Sequence, residues 1–263
     1  MQDKVLENKK LVVIGGTTGI GLSAAKAFIR CGAKVVAVGR DIVNGEKAQK
    51  VFGDAATVVE GDAINSETAI KAISLCLKKF SGFDGIYHVA GGSGRKMGDG
   101  PLHELSLEGW NKTLELNLTS LMLSNQAAVN QFVKQGIGGS ILNMGSVLGF
   151  SPSPHHFSTH AYAAAKSAII GFSRSIAAFY AKNNIRVNVI APALVETPMA
   201  QRAANDEAIL SFVKTKQPLD GGRIGYSKDL DGLAVYFMSD QSKFTTGQIV
   251  AVDGGWSISE GQY

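Results

Sequence analysis

The sequence predicts an α/β fold, a doubly wound, seven-stranded parallel sheet with helices on both faces. Three observations carry this expectation. Short, fully apolar runs alternate with helical patterns along nearly all of the 263 residues. A glycine-rich turn joins the first apolar run to the first helix. The residues with unusual chemistry fall at the carboxyl end of a predicted strand or just beyond it, the edge where right-handed crossovers gather ligand sites.

The first strand, Lys10-Leu-Val-Val-Ile14, is apolar enough to be buried on both sheet faces. It runs into Gly15-Gly-Thr-Thr-Gly-Ile-Gly21, and a helix follows with Leu22, Ala25 and Ile29 on one stripe. Glycines there let the backbone approach a pyrophosphate, which then sits against the helix N-terminus. Further strands are predicted at Lys34 to Val38, Thr57 to Glu60, Phe83 to Val89, Gly138 to Met144, Ile185 to Ala191 and Gln248 to Val252, with helical segments between. No linker, repeat or low-complexity tract divides the chain, so residues 1–263 read as a single domain.

Composition narrows the function. The formal charge is +4, and no run of five like charges occurs. Neither nucleic acid nor a membrane surface is the expected partner. Met1 to Lys10 is charged and lacks the apolar core of a secretory signal, and no apolar run is long enough to span a bilayer. Cys31 and Cys76 read as small apolar packing groups, and the expected compartment is the cytoplasm.

One stretch, from Ser146 to Lys166, carries chemistry. Its end, Ala161-Tyr-Ala-Ala-Ala-Lys166, is predicted as the first turns of a helix, which makes Tyr162 and Lys166 neighbours on one face. A free phenol titrates at about 10, so bringing it near 7 takes roughly 4 kcal/mol. A positive charge about 4–5 Å away supplies roughly that amount at an effective dielectric near 20. Lys166 is placed to be that charge, and Ser146 to hold a substrate oxygen as a hydrogen-bond donor. Taken alone, Tyr-x-x-x-Lys is common and reads better as an ordinary amphipathic helix; the rest of the chain gives it weight.

With these motifs the chain resembles the short-chain dehydrogenase/reductase family over nearly its whole length. The family's T-G-x-x-x-G-x-G reads Ile14-Gly15-Gly-Thr17-Thr18-Gly19-Ile20-Gly21, with Ile14 in place of Thr. Its Asn-Asn-Ala-Gly reads His88-Val89-Ala90-Gly91, and its Pro-Gly reads Pro192-Ala193 with Thr197 following. Asn117, Ser146, Tyr162 and Lys166 match the four catalytic positions, and Thr246-Gly-Gln through Asp253-Gly-Gly255 matches the family's ending. The resemblance implies a Rossmann-like fold and hydride transfer between NADP(H) or NAD(H) and a carbonyl/alcohol pair. In that reading Tyr162 moves the proton and Ser146 holds the substrate oxygen. Lys166 stabilises the tyrosinate and grips the cofactor ribose, and Asn117 holds a water linking Lys166 to solvent. The implied cofactor contacts are Gly15, Thr17, Thr18, Gly19, Ile20 and Gly21, then Arg40, Asp62 at the adenine, Ala63, Val89, Ala90 and Gly91. Tyr162, Lys166, Pro192, Val195 and Thr197 complete them. The two missing asparagines imply a loosened hydrogen-bond network at the fourth strand.

NADP(H) is the preferred cofactor and NAD(H) the alternative. The second strand ends Val38-Gly39-Arg40-Asp41, so a glycine stands where a ribose-binding acid is expected, and a guanidinium able to bind a phosphate follows it. Arg40 also reads as a solvated strand-end residue or an adenine-stacking one, and Asp41 as a partner for a free 2′-hydroxyl or for Arg40. His155, His156 and His160 read as a surface loop at the pocket mouth rather than a metal site. Arg95 and Lys96 lie in a polar loop, a solvated loop or a contact for an anionic substrate group. Residues 193–218, with Met199, Phe212, Lys214 and Lys216, occupy the place of a substrate lid. The resemblance also implies a homotetramer, its contacts drawn from helices near Leu105 to Phe132 and Ala161 to Lys182; an Ala161, Ala164, Ala168, Phe172 stripe is expected to be buried between subunits. A cofactor-binding sensor or scaffold without turnover is the alternative, and the intact Ser–Tyr–Lys–Asn set argues against it. An epimerase or dehydratase would call for a longer substrate domain.

Overall fold

The computed structural model describes residues 4–262, so part of the charged amino-terminal stretch, Met1 to Asp3, lies outside it, as does Tyr263. Its elements are β1 (Lys10–Ile14), α1 (Gly19–Arg30), β2 (Lys34–Gly39), α2 (Ile42–Phe52), β3 (Ala56–Glu60), α3 (Ser66–Phe80) and β4 (Gly85–His88). Then come α4 (Leu107–Leu114), α5 (Ser120–Gln135), β5 (Gly139–Met144), α6 (His160–Tyr180) and β6 (Ile185–Pro192). The last part holds β7 (Val195–Glu196), α7 (Gln201–Ala204), α8 (Glu207–Lys216), β8 (Gly225–Tyr226), α9 (Asp231–Met238) and β9 (Ile249–Val252).

The main sheet has seven strands in the order β3-β2-β1-β4-β5-β6-β9, and every pairing in it is parallel. All seven predicted strands are there, each within two residues of its predicted ends. Apolar residues alternate in direction along these strands. Leu11, Val13, Val35 and Ala37 pack in one core cluster with Ala24, Ala25 and Phe28 of α1 and Phe237 of α9. Val12, Ile14, Val36 and Val38 pack in another with Ala69, Ile73, Ala128 and Phe132 of α3 and α5. Strands buried on both faces need no polar face, which is why they read as continuous apolar runs.

The chain order reverses between β1 and β4, so the crevice lies beyond the carboxyl ends of those strands. Two pieces went unpredicted. β7 and β8 form a separate two-stranded pair, two residues each and without periodicity. The predicted helix near Leu105 to Phe132 is interrupted by a π-helical stretch, Glu115–Thr119.

Candidate active site

A cleft of about 720 Å³ opens at that edge. Gly15, Thr17, Thr18, Gly19 and Ile20 line one end of it, and Arg40, Asp62 and Ala63 lie beside them. Val89, Ala90, Gly91, Ser146, Tyr162, Lys166, Pro192, Val195 and Thr197 line it as well. Of the catalytic and cofactor-binding residues picked from the sequence, Gly21 and Asn117 do not line it. Gly21 lies behind the turn: a methyl group there would fall 2.0 Å from the Gly15 carbonyl oxygen, so glycine lets α1 begin this close to β1.

The turn fits a pyrophosphate. α1 has no acidic residue in its first turn, and Thr18 caps it without a side-chain hydrogen bond. Its leading N–H groups and positive dipole end are therefore available to an anion. At the far end of β2, a methyl group on Gly39 would sit 2.0 Å from Thr17 Oγ1. Thr17 thus fills the space an acidic side chain would need. Asp41 accepts a hydrogen bond from Asn44 N at 2.7 Å as the N-cap of α2. It does not pair with Arg40, whose Nη1 lies 3.7 Å from Asp62 Oδ2 instead.

Ser146 ends the segment after β5, and its Oγ accepts from Leu148 N at 3.2 Å. Tyr162 and Lys166 lie in the first turns of α6, whose start is held by Asp99: its two carboxylate oxygens accept from Ala161 N at 2.9 Å and Tyr162 N at 3.0 Å. Sequence reasoning missed Asp99, because an acid inside a polar loop carries no local sign of the helix it caps 60 residues on.

Lys166 is buried, donates to the Met144 carbonyl at 2.9 Å, and its Nζ lies 5.4 Å from the centre of the Tyr162 ring. Burial lowers Lys166 to about 8. Tyr162, partly open to the cleft but enclosed by protein around its hydroxyl, is raised by burial to about 12, against a hydrogen bond from Ser146 that acts to lower it. Burial of both groups thus acts against the lowering of the phenol by Lys166 that the sequence suggests. Both groups leave water here, and loss of hydration disfavours the charged form of each.

Asn117 sits in the π-helical stretch. Its Nδ2 donates to the Gly92 and Thr113 carbonyls, both at 2.9 Å, and its Oδ1 accepts from Gly92 N at 3.1 Å. Both side-chain N–H donors are taken, so the side chain fastens the turn after β4 to the helix. A methyl on Gly91 would lie 2.7 Å from Asn117 Oδ1 and 3.7 Å from Lys166 Nζ, which shows how tightly these parts converge.

The network at β4 is not loosened. His88, where the resemblance expects asparagine, is fully buried, with Nδ1 2.6 Å from Ser124 Oγ and Nε2 3.4 Å from Ser120 Oγ. Burial, with the Lys166 charge, drops its pKa to about 3. It is a neutral ring bonded to two serines.

The rest of the cleft comes from loops. Arg95 Nη2 donates to the His156 carbonyl at 3.0 Å, so Arg95 is not simply solvated. His156 lies against Phe212 at 5.1 Å between ring centres, and Phe157 meets Trp256 edge to face at 5.6 Å. Met199, Ala200, Arg202 and Ala203 of the expected lid line the cleft, as do Phe157 and Trp256. Phe212 belongs to the buried cluster beneath. Lys216 does not face the cleft, because its Nζ donates to the Ser259 carbonyl, and Lys214 points to solvent.

Comparison with known proteins agrees with this geometry. Residues 15–257 match the family model described as enoyl-(acyl carrier protein) reductase. The chain is 34% identical over 256 residues to an NADP-dependent (R)-specific alcohol dehydrogenase of Lentilactobacillus kefiri, covering 96% of this chain and 98% of that one. It is 32% identical over 253 residues to a 2,5-dichloro-2,5-cyclohexadiene-1,4-diol dehydrogenase of Sphingobium indicum, with the same coverage of 96% and 98%. A short-chain type dehydrogenase/reductase from Mycobacterium ulcerans superposes with a TM-score of 0.86 at 26% identity, over 97% of this chain and 92% of that one. The chain belongs to the short-chain dehydrogenase/reductase family and is an NAD(P)-dependent oxidoreductase.

Proposed function

We propose that the protein reduces a carbonyl compound, or oxidises the matching alcohol, with NADP(H) as the preferred cofactor and Tyr162 as the acid/base. The observation that carries this reading is the convergence of Ser146, Tyr162 and Lys166 on one cleft wall, with the glycine-rich turn in the same cleft. When bound, the nicotinamide supplies or accepts the hydride. Tyr162, neutral near pH 7, gives its phenolic proton to the nascent alkoxide in reduction. Ser146 donates a hydrogen bond to the substrate oxygen, and Lys166 stabilises the tyrosinate and binds the ribose hydroxyls. Asn117 is a positioning residue, and Asp99 is another that fixes the backbone of Tyr162.

The preference for the 2′-phosphate is supported by Arg40 at the cleft, by Thr17 filling the acid's space, and by the commitment of Asp41 to its helix cap. The NADP-dependent bacterial relative points the same way. The segment 193–218 serves as a lid whose closure excludes water. A cytoplasmic placement is supported by the free thiols of Cys31 and Cys76. We further propose a homotetramer. Ala161 of the expected stripe is buried within the chain, and Ala164 and Phe172 are half-buried. The exposed residues of α6 beyond its first turn are Ser167, Ala168, Gly171, Arg174, Ser175, Ala178 and Phe179, and the small ones among them leave room for a partner helix.

A carbonyl and alcohol panel, scored by nicotinamide absorbance with each cofactor, tests this function. Turnover of at least one pair, faster with NADPH than NADH at equal ionic strength, is the expected outcome. Binding of cofactor with no turnover across the panel would favour a sensor instead.

A further inference from the structure

The mouth of the cleft holds two arginines from different parts of the chain. Arg95 comes from the loop after β4 and Arg202 from α7 in the lid segment, and both line the cleft that contains Tyr162. They converge on one acceptor: Arg95 Nη2 donates to the His156 carbonyl at 3.0 Å and Arg202 Nη2 to the same oxygen at 3.4 Å. Two guanidinium groups sharing one neutral carbonyl repel each other. Burial, and then the Arg202 charge, lowers the proton affinity of Arg95.

Among the described residues a carboxylate relieves this only at a distance. Among the described residues neither arginine takes part in an ion pair. Asp99 is the acid whose charge acts on Arg95, but both its oxygens already accept from the backbone of α6. Each guanidinium has five N–H donors, and one on each is directed to His156. Several N–H groups on two planar forks are left for an oxyanion, the chemistry such forks match best.

We propose that Arg95 and Arg202 form an oxyanion subsite, and that the substrate carries a carboxylate or phosphate besides the carbonyl or alcohol that reacts. This inference rests on the oxidoreductase reading of the same cleft. Because Arg202 lies on the lid segment, the anion would draw α7 toward the loop after β4, so the group that selects the substrate also favours closure. The alternative use of the pair is the cofactor pyrophosphate, because Thr197, a few residues before Arg202, approaches Gly19 of the phosphate turn.

The test is calorimetric titration of the NADP+-saturated protein with two matched pairs: benzoylformate against its methyl ester, and dihydroxyacetone phosphate against dihydroxyacetone. The charged member of at least one pair is expected to bind about 10- to 100-fold tighter, the range of a charge-assisted hydrogen bond. The pair that discriminates identifies the oxyanion. Arg202→Gln should remove that difference and leave the neutral member unchanged. Arg202 is exposed and its bond is long, so this variant keeps its fold, and Arg95→Gln serves as the second. Equal binding within both pairs, or discrimination retained in the Arg95→Gln/Arg202→Gln double variant, overturns the subsite. So does a loss of NADPH affinity in the variants with no change in discrimination. The same pairs read by nicotinamide absorbance separate the two claims. Charge discrimination without turnover strikes the redox reading alone, and turnover without discrimination strikes the subsite alone.

Discussion

Lys166 and Tyr162 illustrate what catalysis costs a folded protein. Lys166 is lowered from 10.5 to about 8 by burial, so its charged form is destabilised in the fold. Below pH 8 it is protonated in both folded and unfolded states and the whole penalty is present. Between 8 and 10.5 the unfolded chain binds the proton more readily, so stability rises with pH across that window. Lys166→Met should therefore raise unfolding free energy at pH 7 by on the order of 1–3 kcal/mol, offset in part by the lost bond to Met144. The gain should shrink by pH 10.5, as denaturant titrations at the two pH values would show. His88 has the same sign lower on the scale. With its folded pKa at about 3 against an ordinary 6.5, the unfolded chain binds a proton the fold does not, and stability falls as pH drops from 6.5 toward 3. His88→Asn should flatten that acid slope by about one proton, and imidazole NMR signals of the wild type should show no His88 titration above about pH 5. At this scale the sequence told a good deal about identity and little about environment. Tyr162, Lys166 and Ser146 stood out by spacing, whereas the pairing of His88 with Ser120 and Ser124 joins residues more than 30 positions apart and leaves no local pattern.

The end of β2 and the glycine-rich turn behave as one unit, because Thr17 occupies the volume above Gly39. An acid placed at Gly39 alone has nowhere to go. Gly39→Asp should weaken NADPH binding without creating an NADH site, and pairing it with Thr17→Gly should restore room and tilt preference toward NADH. Arg40→Ala should lower NADPH affinity by about 10-fold or more and spare NADH, in line with one charge-assisted contact; equal loss for both cofactors in equilibrium titrations would remove Arg40 from the 2′-phosphate. The turn was legible because strand, glycines and helix are contiguous in sequence. The filling of one element's gap by another's side chain was not, since it depends on packing across the turn. The same holds for α4 and α5: their apolar period suggested one helix, and the π-helical stretch at Asn117 follows from side-chain bonds to Gly92, 25 residues earlier in the chain.

The whole molecule was the most legible level. Apolar runs buried on both faces, alternating with amphipathic helices, admit few arrangements once crossovers are right-handed, and the observed strand order is one of them. Assembly was less so: exposed small residues on α6, set among Arg174 and Phe179, do not state a partner. Light scattering at micromolar concentration should give a mass of about four times 27.7 kDa, and a monomer would refute the tetramer. Above the fold stands the claim that Tyr162 moves the proton in a cleft built for a nicotinamide cofactor. Tyr162→Phe keeps the packing ring and removes only the hydroxyl. With a carbonyl substrate found on the panel, turnover followed by nicotinamide absorbance should fall about 10²–10⁴-fold while NADPH affinity stays within about twofold of wild type. A variant keeping more than about a tenth of wild-type turnover would contradict it.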